Sequence, residues 1–231
     1  RQLVVDVNRR HRQVITDQGL SIPYDRLLFA TGSVPFIIPI PNHNHACVLS
    51  FRDIQDVEAM LSATTDKKRV AVIGGGLLGL EAANGLLKRG VEVTVIHDVS
   101  CLMNRQLDSE AAHLLQAQLE KNGMKFRMGV VTKEIVIKDA EHLSHLAFRE
   151  GEDLPTDLVI MAVGIRPNVA LAKQIGLQVE KAILVNDTMQ TFDPRIYAVG
   201  ECVQHRGSLF GLVAPLYEQA SVCATHLAQM G

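Results

Sequence analysis

The chain has 231 residues, 47% hydrophobic and 21% charged, which is enough apolar material for one large domain or two small ones. A formal net charge of −2 with no basic run argues against nucleic acid or an anionic membrane as a partner. No apolar run approaches the ~20 residues that a spanning helix needs, and no signal peptide opens the sequence.

In chain order, Leu3, Val5 and Val7 alternate with polar residues, Asn8 to Gln13 turn, and Val14-Ile15 resume, which predicts a hairpin. Leu27 to Ala30 reads as a short buried strand that ends at Thr31-Gly32. Pro35, Pro39 and Pro41 keep the following residues extended, as a connector between domains would be. Phe51 to Ser62 has a helical pattern with Ile54, Val57, Met60 and Leu61 on one face.

Lys68 to Ala83 is the most informative stretch. Val70 to Ile73 has the length and branching of a buried parallel strand, and Gly74-x-Gly76-x-x-Gly79 follows at once. A helical pattern through Leu80, Ala83, Leu86 and Leu87 runs to Gly90, and Val91 to Ile96 supplies the returning strand. In such a unit the first glycine makes the tight turn, the second admits a pyrophosphate, and the third lets the helix sit close on its strand. The helix N-terminus adds free N–H groups and the positive end of its dipole. Dinucleotide binding is the reading these residues support; a glycine triplet in a purely structural turn is the alternative.

Further on, Asp108 is placed to cap a helix with a stripe of Ala111, Leu114, Leu115 and Leu119, and Gly123 to stop it. Met124 to Val130, Glu134 to Lys138 and Leu143 to Arg149 read as a three-stranded meander, and Leu158 to Gly164 as a second buried strand ending in glycine. The order predicts an α/β fold: a complete Rossmann-like doubly wound parallel sheet plus meander over 51–168, inserted in a partial domain made of 1–50 and 169–231. In the last part, Ile183 to Val185 and Ile196 to Glu201 read as strands, and Leu212 to Met230 as a helix with Leu216, Ala220, Cys223 and Leu227 on one stripe.

Cys47, Cys101, Cys202 and Cys223 form no CxxC pair and read as buried, reduced thiols of a cytoplasmic protein. His43-x-His45 and His142-x-x-His145 lack partners at zinc-site spacing, so no metal site is expected. No Ser/His/Asp constellation or protein nucleophile stands out.

Four segments resemble the motifs of two-dinucleotide flavoprotein reductases, the pyridine nucleotide-disulfide oxidoreductases. They are Tyr24-Asp25-Arg26-Leu27-Leu28-Phe29-Ala30-Thr31-Gly32, Phe51-Arg52-Asp53, Ala162-Val163-Gly164-Ile165-Arg166-Pro167-Asn168, and Thr191 to Glu201. In the last of these Glu201 stands where most members have Asp. A narrower resemblance is to the flavin module of the large subunit of NAD(P)H-dependent nitrite reductases. It rests on Gly74 to Ala83, on Leu102 to Asp108, on Gly200-Glu201-Cys202-Val203-Gln204-His205-Arg206-Gly207, and on Gly211 to Ala220. Here Phe210 and Tyr217 stand for that family's Tyr and Trp.

The resemblance implies that Gly74, Gly75, Gly76, Leu77, Leu78, Gly79 and Gly164 hold NAD(P)H. Glu81 would be the catalytic residue at the nicotinamide–flavin junction, although an acid on this turn would also simply complement the helix dipole. His97 takes the place of the ribose-binding carboxylate of NAD-preferring relatives, Asp98 follows it, and Arg105 could reach a 2′-phosphate or pair with Asp108 or Glu110. NADH and NADPH both remain open. Thr31, Gly32, Gly200 and Glu201 would line an FAD pocket. The chemistry implied is hydride transfer from NAD(P)H to FAD, then onward to iron–sulfur and sirohaem regions of the same polypeptide. A ferredoxin or rubredoxin reductase and a non-catalytic nucleotide-binding domain are the alternatives. The family's upstream FAD-pyrophosphate fingerprint does not occur here, so the chain is expected to be an internal piece of a longer protein. Its Leu27–Ala30 strand is then expected to have an open apolar edge, covered by a second copy or left locally disordered.

Overall fold

The computed structural model describes residues 2–65 and 69–229; Lys68 of the fingerprint run and Met230 of the last helix lie outside them. The chain forms two compact units, Pro35–Ile165 on the one hand and Arg1–Val34 with Arg166–Gly231 on the other.

The Pro35–Ile165 unit is built on a five-stranded sheet in the order Val48–Ser50, Leu158–Met161, Arg69–Ile73, Glu92–His97, Lys125–Met128. Every neighbouring pair is parallel. Strands covered on both faces must be apolar throughout, and Val72, Val93, Val95, Val159 and Ile160 are fully buried. Burying one such side chain contributes about 1.5–3 kcal/mol, so this sheet is the unit's principal source of stability.

Helix Leu77–Leu87 packs on the sheet through Leu80, Ala82, Ala83 and Leu86. Asp53 and Asp108 cap the helices Ile54–Ala63 and Ser109–Lys121, accepting from the backbone N–H of Asp56 (3.0 Å) and Ala111 (2.8 Å). Gly123 follows the second of these helices with φ +95°.

Several sequence expectations change here. Val48–Ser50, three residues among turn and proline segments, is the edge strand of this sheet, which is why the boundary falls at Val34/Pro35 rather than after residue 50. Lys125–Met128 pairs with Glu92–His97 as the opposite edge strand and takes no part in the meander. The meander is instead Thr132–Ile137, Leu143–Phe148 and Leu154–Pro155. Ile54 and Leu114 were expected on packed helix faces and are 77% and 69% exposed, while Met60 and Ala112 carry the burial.

In the other unit, Val4–Asn8, Gln13–Thr16 and Ser21–Pro23 form an antiparallel sheet, so the expected hairpin gains a third strand. Leu27–Phe29 pairs in parallel with Ile196–Ala198. Among the described residues this ladder has two strands, Leu27–Phe29 is paired on one side only, and Leu28 is 44% exposed. Ile183–Val185, Val203–His205 and Ser208–Leu209 make a further small sheet, and a short helix spans Ala170–Gln174.

Pleating sends Ile196 and Ala198 into one apolar cluster and Tyr197 into another, with Met189 and Cys223. The buried Tyr197 hydroxyl is 3.1 Å from both Gln190 Nε2 and His226 Nδ1. The last helix, Val213–Gln229, buries Gln219 and Cys223; Ala220, expected on its packed stripe, is exposed. Cys47, Cys202 and Cys223 are buried thiols, whereas Cys101 is half-buried. No described helix is long and apolar enough to cross a membrane.

Candidate functional site

The glycine run behaves as its spacing predicts, each glycine for a different steric reason. Gly74 has φ +123°, and a β-carbon there would overlap the Ala162 carbonyl. Gly79 presses on the Gly74 carbonyl oxygen, so a β-carbon would separate helix from strand. Gly76 caps the helix in an extended conformation, φ −85° and ψ −176°, and a β-carbon there would meet nothing within 4 Å. That open space lies at the helix N-terminus. Gly76 offers no side-chain cap, and the first-turn N–H groups of Leu77 and Leu78 have no acceptor among the described residues. A cradle of free N–H groups, kept clear of any side chain, fits a pyrophosphate.

Gly75 sits under a neighbouring wall. A β-carbon on it would come within 2.7 Å of His97 Cδ2 and 2.9 Å of Leu102 Cδ2. Its carbonyl accepts from the Met103 N–H at 2.9 Å, which draws the segment after His97 over the glycine loop. The structure therefore gathers Gly74 to Gly79, His97 and Asp98 at one end of the parallel sheet. Leu77 and Glu81 are exposed on the helix, and neither the Glu81 side chain nor that of the exposed Arg105 makes a hydrogen bond or ion pair with a described residue. The pairing considered between Arg105 and Asp108 or Glu110 does not occur. Gly164, at φ +117°, accepts from the Phe36 N–H at 2.9 Å.

In the other unit a cleft of about 360 Å³ opens at the C-terminal ends of the paired strands Leu27–Phe29 and Ile196–Ala198. Ala30, Gly32, Gly200, Glu201, Leu216 and Tyr217 are among its lining residues. Gly32 and Gly200 have φ +62° and +91°, conformations that turn the chain sharply at each strand end. Glu201 is 8% exposed, and Ser33 Oγ donates to its Oε2 at 2.6 Å. Gln219 Oε1 accepts from the Gly200 N–H at 2.8 Å, and its Nε2 is buried without a hydrogen-bond partner among the described residues. Thr31 does not line the cleft; its hydroxyl donates to the Asn168 carbonyl at 2.7 Å, and the Asn168 N–H donates back to Gly32 at 2.9 Å. Ser33 and Gln219 were not legible as site residues, because a serine after a glycine and a glutamine on a helix carry no local signature.

His205 and Arg206 do not reach this cleft. Asp187 Oδ1 is 2.7 Å from His205 Nε2, and Arg206 donates to both oxygens of Asp187 from Nε (3.0 Å) and Nη2 (2.5 Å). Arg206 first, and His205 second, hold the Asp187 carboxyl below its ordinary pKa.

A known protein-family pattern, pyridine nucleotide-disulphide oxidoreductase, matches residues 1–226. A nitrite reductase [NAD(P)H] from Bacillus subtilis is 54% identical over 226 residues, covering 98% of this chain and 28% of that protein. The nitrite reductase (NADH) large subunit of Escherichia coli is 39% identical over 225 residues, covering 96% and 27%. Among solved structures, a ferredoxin reductase from Rhodopseudomonas palustris superposes with a TM-score of 0.92 at 29% identity, covering 98% of this chain and 57% of that one. The chain thus spans less than a third of the length of these nitrite reductases. With its glycine loop, its parallel sheet and a match along nearly its whole length, the chain belongs to the pyridine nucleotide-disulphide oxidoreductase family.

Proposed function

We propose that this chain is the electron-input part of an NAD(P)H-dependent nitrite reductase, carrying a nucleotide site at 35–165 and part of an FAD site in the other unit. One observation supports the reading above the others: the side-chain-free cradle over Gly76, in a chain 54% identical to a nitrite reductase. Bound together, the two cofactors would supply hydride transfer from nicotinamide to flavin. The protein's part is to bind and align. Leu77 and Leu78 N–H groups and the helix dipole would hold the pyrophosphate. Glu81, exposed on the second turn, would flank the nicotinamide. Glu201, fixed by Ser33, would accept from flavin ribityl hydroxyls, and the start of helix Val213–Gln229 would offer positive potential to a reduced ring.

The remaining polypeptide would carry the iron–sulfur and sirohaem groups and would cover the open edge of Leu27–Phe29. A second reading, an NAD(P)H-dependent ferredoxin reductase, is favoured by the 0.92 TM-score to such an enzyme. Anaerobic mixing of the intact polypeptide with NADH tests both. Flavin bleaching followed by reoxidation with nitrite is expected. Reoxidation by ferredoxin alone would select the second reading, and absence of bleaching would defeat both.

A further inference from the structure

We propose that Gln219 is a positioning residue of the Glu201 cleft, which holds the Gly200–Glu201 turn and the helix Val213–Gln229 in the one register that a bound flavin needs. The inference rests on the FAD-binding role proposed for that cleft.

Two hydrogen-bonded ties join this helix to the strand Ile196–Ala198 and its continuation. The Tyr197 hydroxyl is 3.1 Å from His226 Nδ1, and the Gly200 N–H donates to Gln219 Oε1 at 2.8 Å. The later strand residue meets the earlier helix residue, so the helix runs antiparallel to the strand and brings its N-terminal end to the strand's C-terminal end. The Val199 N–H donates to the Phe29 carbonyl at 2.9 Å, which keeps the chain extended up to Gly200. From Tyr197 to Gly200 an extended chain covers about 10 Å, and from Gln219 to His226 two helical turns cover about 10 Å as well. The ties therefore match in span, and Cys223 and Leu227 fill the interval against Tyr197 and Val199. Sliding the helix by one residue would break both.

The two ties differ in place. Neither Tyr197 nor His226 lines the cleft, whereas Gly200 and Glu201 line it from the strand end and Leu216 and Ala220 from the helix. Gln219 joins those two walls. Stability alone does not favour a glutamine there. Its side chain is buried, and Nε2 has no hydrogen-bond partner among the described residues, which counts against the fold. A methionine of similar length would remove that orphan donor and leave the Gly200 N–H without its acceptor, exchanging one unsatisfied group for another. What the glutamine adds is direction. It pins the N–H of a turn residue with φ +91°, and so fixes the peptide that aims Glu201 and the distance from that turn to the start of the helix.

Titration of the flavin-free intact polypeptide with FAD, followed by flavin fluorescence, tests this, with melting temperatures of the flavin-free proteins as the control for folding. Gln219→Met should melt close to the wild type yet bind FAD about tenfold more weakly. Its flavin reduction potential should shift to more negative values, because the reduced ring carries the charge that a correctly placed helix N-terminus stabilises. His226→Phe, which keeps a ring beside Tyr197 but loses the far tie, should lower the melting temperature and leave affinity and potential near those of the wild type. An unchanged affinity or potential in Gln219→Met, equal effects from His226→Phe, or a loss of FAD that only follows a fall in melting temperature each overturns the inference while leaving the FAD site in place. A wild type that binds no FAD overturns the site itself, and the inference with it.

Discussion

Gly79 rests directly on the carbonyl oxygen of Gly74, five residues earlier, with no room for a β-carbon between them. Helix and strand are held together at this contact, and the obstacle is backbone, which cannot rotate aside. Gly79→Ala is therefore expected to cost about 1–3 kcal/mol of stability, the usual penalty of overpacking. Urea unfolding of the two proteins would measure it; an unchanged midpoint would mean that the helix shifts freely.

Gly76→Val should do the reverse. Its backbone is already extended and its side-chain space is empty, so the fold should melt as the wild type does. The valine would fill the place of the pyrophosphate and abolish nucleotide binding. Calorimetry with NADH checks the loss, and retained affinity would remove the cradle from the site.

Ser33→Ala is expected to weaken the smaller unit by about 1.5–3 kcal/mol, the range for a hydrogen bond to a charged group. The lost bond is the 2.6 Å contact to Glu201, 168 residues away in sequence. Denaturant unfolding followed by tyrosine fluorescence, to which the buried Tyr197 of this unit contributes, would show it, and Ser33→Thr, which restores a hydroxyl, should recover part of the loss.

The Asp187 clamp should titrate in acid. Its folded pKa is depressed by Arg206 and His205, so its stabilisation is present above the unfolded carboxyl pKa and disappears as the pH falls through the folded one. Asp187→Asn should consequently melt below wild type at neutral pH, and the gap should close below the ordinary carboxylate range. Because the cluster is exposed, the gap will be small. A difference independent of pH would mean that the asparagine acts by another route.

Flavin retention should be poor in the chain taken alone. Among the described residues the strand ladder beneath the Gly32–Glu201 cleft has two strands and an unpaired edge, with Leu28 44% exposed. Purified protein is expected to be nearly colourless, with far less than one FAD per chain by visible absorbance. A yellow preparation with one FAD per chain would show that the cleft suffices by itself.

The sequence by itself determined the parts whose causes are local. A branched apolar run, three glycines at fixed offsets and a capped helix each dictate their conformation within about fifteen residues. The parallel sheet and the glycine loop were legible for that reason, as were the caps at Asp53 and Asp108. Tertiary structure alone decided which strand goes beside which. Lys125–Met128 looks like any short β-run, and its place at the sheet edge depends on a partner some thirty residues away. Val48–Ser50 has too few residues to show a period at all. The finer features of the sites are also non-local: the His97 ring over Gly75, Ser33 on Glu201 and Gln219 on Gly200 each join residues brought together by packing. No spacing in the sequence encodes such pairs, because a side chain's partner is fixed by where two surfaces meet and not by its neighbours along the chain.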